Sequence, residues 1–69
     1  MIQSYTDIVN MWGGHKIMAG DLGVSEERVR KWAFRNKIPD SVWRRLLNKA
    51  PNRNIEISPD LLIDLAAKD

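Results

Sequence analysis

The stretch that decides the fold is MAGDLGVSEERVRKW, Met18 to Trp32. It sets Gly23 between two segments that both carry helical patterning, then adds a cluster of charge: Glu26, Glu27, Arg28, Arg30 and Lys31. Before the glycine, Met18, Ala19 and Leu22 share one helical face. After it, Ser25 and two glutamates make a helix start, with a hydroxyl to cap a backbone N–H and acids at the positive end of the helix dipole. Val29, Trp32 and Ala33 form the buried stripe of that helix, leaving Arg28, Arg30, Lys31 and Arg35 off it. Two short helices joined by a tight glycine-containing turn make a helix-turn-helix. Such a unit needs a tiny residue at the crossing (Ala19), a glycine in the turn (Gly23) and an apolar plug after it (Val24). It also needs Met18 and Leu22 to face Val29 and Trp32. One register satisfies all seven positions.

The neighbouring segments also read as helices. The first runs from about Tyr5 to Met11, capped by Ser4 or Thr6, with Ile8 and Trp12 on one face and Gly13-Gly14 as its stop. The second covers His15 to Leu22. After the third, Asn36 and Lys37 end the helix and Ile38-Pro39 forces an extended link. The fourth is expected from Asp40 as N-cap, with Val42, Trp43, Leu46 and Leu47 inward and Arg44, Arg45, Asn48 and Lys49 in solvent. Pro51 to Asn54 reads as a loop, and Ile55 to Ile57 alternates as a short extended piece would. Ser58 and Pro59 then start a fifth helix with Leu61, Leu62 and Leu65 on its apolar face. The expectation is an all-α fold of five short helices around a helix-turn-helix, with one short extended segment allowed near 55–57.

The chain has 69 residues, enough for one domain over 1–69, and a core of this size leaves only about 3–5 kcal/mol of net stability. It has no cysteine and one histidine, so no disulfide, thiolate metal site or histidine-rich zinc site is expected, and no cofactor. No apolar run approaches a membrane span and no signal peptide is evident, which makes the cytoplasm the expected compartment. The net charge of +2 is unevenly spread. Residues 15–49 hold nine Lys/Arg against four acids, while the last twenty carry four acids against two bases. A basic middle with an acidic end points to one face for a polyanion and another for a different partner.

His15, with Ser25 and Asp21 nearby in sequence, raises acid–base catalysis, but a short helical chain with a single histidine is a poor host for a preorganised pocket. No enzyme activity and no small-molecule ligand are expected. Trp12, Trp32 and Trp43 sit at helical spacing with other apolar residues and are expected in the core rather than stacked on bases.

The segment LGVSEERVRKWAFRNKIP, within His15 to Leu47, resembles the DNA-binding domains of the Cro and lambda-repressor group, especially small phage and prophage Cro-like proteins. The resemblance implies a third helix in the major groove of double-stranded operator DNA, a homodimer and a transcriptional regulator of bacterial or phage origin. It implies base contacts from Ser25, Glu26, Glu27, Arg30 and Lys31. Phosphate contacts are implied from Lys16, Arg35, Asn36 and Lys37, to which His15 and Arg28 are added as candidates. The paired acids depart from the glutamines or asparagines common in that group, although a glutamate can accept from cytosine N4. One glutamate can instead merely support the helix start.

Two alternatives stay open. The first is a module that keeps this fold and regulates another regulator by protein contact. The second is an excisionase- or MerR-like protein, whose β-wing the amphipathic stretch DSVWRRLL argues against. One domain buries too little surface for tight specific binding, so two copies are expected to read two half-sites. Their contact is expected in the 51–69 segment, through Ile55, Ile57, Leu61, Leu62 and Leu65, completed by Trp43 and Leu47.

Overall fold

The computed structural model describes residues 2–67, which form α1 (Tyr5–Trp12), α2 (His15–Leu22), α3 (Glu26–Arg35), α4 (Trp43–Lys49) and α5 (Pro59–Ala67). Single 3-10 turns cover Asp40–Val42 and Ala50–Arg53. Among the described residues there is no strand, so the protein is all-α and lacks the β-wing of the excisionase alternative. Three serines start three of the helices. Ser4 Oγ accepts from the Asp7 amide at 3.1 Å, Ser25 Oγ from Arg28 at 3.2 Å and Ser58 Oγ from Leu61 at 3.1 Å, each removing an orphan donor of a first turn.

The join between α2 and α3 turns at Gly23, which ends α2 in the left-handed conformation. Gly23 has φ +69° with open space where a Cβ would lie, so the left-handed backbone, not crowding, is what favours glycine there. The next residue, Val24, returns its N–H to the Ala19 carbonyl at 3.1 Å and packs half-buried on the core. Ala19 is buried at the crossing, with Met18, Leu22, Val29 and Trp32 around it in one core. α1 closes this pair from one side through Tyr5, Ile8, Val9 and Trp12; α4 and α5 close it from others through Leu46, Leu62 and Leu65.

Several expected boundaries are corrected. α1 runs one residue further than expected, to Trp12. Asp40 does not cap a helix; it opens a 3-10 turn after Pro39, whose φ −58° and ψ 142° are extended, and α4 begins only at Trp43. Pro51 to Arg53 belong to a second 3-10 turn rather than a free loop, ended by Asn54 at φ 57°. Ile55 to Ile57 are irregular: the Ile55 N–H bonds back to the Ala50 carbonyl at 3.1 Å, and no strand among the described residues pairs with them in a ladder.

The expected dimer surface is also redrawn. Leu62 is fully buried, Leu65 and Ile55 nearly so, all within the chain's own core. A small core needs these side chains to cover α1 and α4, and the Tyr5 hydroxyl ties α5 down by donating to the Leu62 carbonyl at 2.7 Å. Trp43, Leu47, Ile57 and Leu61 remain half-buried.

One polar cluster unites α1, α2 and the second 3-10 turn. The Asp21 carboxylate accepts from Arg53 Nε at 2.8 Å and Nη2 at 3.0 Å, and from the indole Nε1 of buried Trp12 at 2.8 Å. Arg53 first, then Trp12, lowers the Asp21 pKa from 3.8 to about 2. A carboxyl depressed in the folded state stabilises the protein above its unfolded pKa, and that contribution disappears as pH falls toward the folded value. The gap in urea midpoint between wild type and Asp21→Asn is therefore expected to be full above about pH 4 and to shrink as pH approaches about 2. A gap that is constant across that window would show that Asp21 does not carry this linkage.

Candidate nucleic-acid interface

The exposed face of α3 follows directly from its stripe. With Val29 and Trp32 turned into the core, Glu26, Glu27, Arg28, Arg30, Lys31, Phe34 and Arg35 are all exposed. At 3.6 residues per turn, Glu27, Lys31 and Phe34 line the outermost row. Arg30 flanks that row on one side; Arg28 and Arg35 flank it on the other. Four cations against two acids give the helix a basic outer surface, and the acids are confined to its first turn.

The start of α2 lies beside the start of α3. His15 Nε2 is 3.3 Å from Glu26 Oε1, both side chains being partly exposed. Lys16 is exposed one residue further along. His15 therefore engages Glu26, which leaves Glu27 as the outward acid of the pair. Ser25 Oγ accepts from the Arg28 amide at 3.2 Å. Asn36 takes φ 54° as the C-cap of α3, and its side-chain carbonyl accepts from the Thr6 amide at 3.2 Å. The Thr6 hydroxyl donates to the Ala33 carbonyl at 2.7 Å, so Asn36 and Thr6 together fix α3 against α1.

A groove of about 660 Å³ opens alongside α3. Its floor includes Trp32, Ile38, Val42 and Trp43, and its rim carries Arg28, Lys31, Arg35 and Lys37 against the single acid Asp40. Trp43 holds the link to α4 by donating its indole N–H to the Ile38 carbonyl at 3.0 Å. A second groove, of about 650 Å³, is lined by Ile57 and Leu61 with Pro51, Asn54, Ile55, Glu56 and Ser58. The residues expected at one dimer contact are thus split: Trp43 lies in the basic groove, Ile57 and Leu61 in the other, and Leu62 and Leu65 in the core.

Each of the three catalytic candidates has a partner of its own. His15 faces Glu26, Asp21 is held by Arg53 and Trp12, and Ser25 caps α3. Among the described residues, no three His, Asp or Glu side chains gather as a metal site needs, and no helix is long and apolar enough to cross a membrane.

Sequence reasoning missed three features. Arg45, exposed as expected, sends Nη1 back to the Leu22 carbonyl at 3.2 Å and steadies the end of α2. The Asp21 cluster joins residues 32 positions apart and left no local signal. Phe34 is 90% exposed on the basic face, and its place off the Val29–Trp32–Ala33 stripe was the available clue. Compared with known proteins, the chain matches no family model, no curated protein and no solved structure.

Proposed function

We propose that the protein is a sequence-specific DNA-binding regulator of the Cro-like type, with α3 in the major groove of an operator and two copies on two half-sites. The observation that carries this is the proximity of His15 and Glu26. It brings the first turn of α2, which carries the exposed candidate phosphate contact Lys16, beside the first turn of α3. Arg30 and Lys31 present long donors from the middle of α3, suited to guanine O6 and N7. Glu27 can accept from a cytosine N4. Arg28, Arg35 and Lys37 rim the neighbouring groove, where a phosphate backbone would meet several cations at once. Two copies would sit about 34 Å apart, one turn of the duplex. The surface left for their contact is the second groove, through Ile57 and Leu61.

The rival is a module that binds an acidic protein instead of DNA; the apolar floor and cationic rim of the groove beside α3 favour it. Selection from a random duplex library separates the two, since a protein-only module enriches no sequence. On the selected site, Arg30→Ala is expected to cost about 1–3 kcal/mol and to relax preference at one or two base pairs. An equal loss on every sequence would make Arg30 a phosphate contact, and the base-reading role assigned to it would fall.

A further inference from the structure

We infer that Phe34 is a base-reading residue, its ring lying against the C5 methyl group of a thymine on the floor of the major groove. The inference rests on the DNA-binding function proposed above and adds to it an apolar determinant of specificity. Phe34 is the most exposed of the large apolar side chains, at 90%, and no part of the described chain covers it. It lies on the outermost row of α3, three residues after Lys31 and seven after Glu27, and one turn beyond Arg30 on the adjoining row. Its sequence neighbours on that face are the exposed Arg30, Lys31 and Arg35. Folding therefore does not require phenylalanine here: a polar side chain would leave the core untouched.

The chemistry of the groove narrows the target. Base edges in the major groove offer hydrogen-bond donors and acceptors at every pair but an apolar group only at thymine, the C5 methyl. A ring on a row shared with base readers meets those edges, and the methyl is the one feature there that an aromatic face can desolvate with profit in affinity. Position along the helix gives the register. Four residues advance about 6 Å along α3, close to two base-pair steps of about 3.4 Å. A helix lying along the groove then sets the thymine about two base pairs from the one that Arg30 reads.

The test uses the full chain and the best duplex selected from a random library. Each thymine of that duplex is replaced in turn by uracil, which removes the methyl and nothing else. For the wild type, uracil at one position in each half-site is expected to weaken binding roughly threefold to fivefold, the worth of one buried methyl. Phe34→Ala is expected to bind the thymine duplex more weakly by at least that factor and to make no distinction between thymine and uracil. Phe34→Gln, which keeps side-chain length, is expected to be equally blind, and circular dichroism should show both variants as helical as the wild type. The inference alone is overturned if no uracil position affects the wild type, or if Phe34→Ala keeps the thymine preference, while selection of a defined sequence stands. If the wild type enriches no duplex at all, the DNA-binding function falls and this role for Phe34 with it.

Discussion

Leu62→Glu is expected to unfold the protein, not to release a folded monomer. Leu62 is fully buried, and its backbone carbonyl accepts from the Tyr5 hydroxyl at 2.7 Å, so α5 is tied to α1 at this point. Removing a buried leucine side chain costs about 2–5 kcal/mol through lost transfer energy and cavity formation. A carboxylate in the same place adds the penalty of burying an unpaired charge, because no charged or polar residue is buried among the described residues. Since a core of this size yields only about 3–5 kcal/mol in total, the variant should show no cooperative transition in urea and little helical signal in circular dichroism. A variant that stays helical and sediments as a monomer would return Leu62 to an interface between copies. The conservative Leu62→Ala should retain a transition at a much lower urea midpoint, which separates loss of packing from a defect in expression.

The second large effect is on DNA affinity and comes from salt. Each copy presents Lys16, Arg28, Arg35 and Lys37 as exposed candidates for phosphate contact. Every phosphate neutralised releases condensed counterions, and affinity falls with the logarithm of salt by about 0.9 per neutralised phosphate. For two copies that together neutralise about six to eight phosphates, raising salt from about 50 to 200 mM should weaken binding roughly a thousandfold or more. Lys16→Ala should weaken specific and random duplexes alike and lower the slope by about one for each phosphate it leaves unneutralised. Affinity that barely responds to salt would remove the electrostatic basis of the proposed interface. A steep slope that Lys16→Ala leaves unchanged would assign the phosphates to cations other than the one at the start of α2.

These two outcomes test different parts of the molecule, and they differ in how far local sequence reaches. The α2–turn–α3 unit was legible because every constraint on it lies within fifteen consecutive residues. Gly23 and Ser25 act through their own backbone and immediate neighbours, so turn and cap could each be assigned from residue type. The exposed cations of α3 were legible for the same reason: a helix with Val29 and Trp32 inward has no choice about where Arg30 and Lys31 go.

The tertiary structure decided what depends on distant partners. Leu61, Leu62 and Leu65 are an apolar row on α5, and periodicity marks such a row as covered without saying by what. Packing against α1 and α4 placed Leu62 and Leu65 inside and left Leu61 at the edge. His15 read as a candidate for acid–base work or phosphate contact until α3 brought Glu26 to 3.3 Å. Asn36 reads as a polar loop residue, yet its carbonyl is committed to Thr6, thirty residues earlier. Asp21 is an ordinary helical acid by its neighbours; Arg53 and Trp12 reach it only because two turns and a helix fold back on α2. Sequence alone determined the five helices, the α2–α3 join and the basic outer face, since hydrogen bonding, backbone conformation and side-chain period act over one or two turns. Which apolar residues close the core, and which polar groups are spent holding helices together, follow from contacts between segments far apart in the chain, and only the folded arrangement brings those groups within reach.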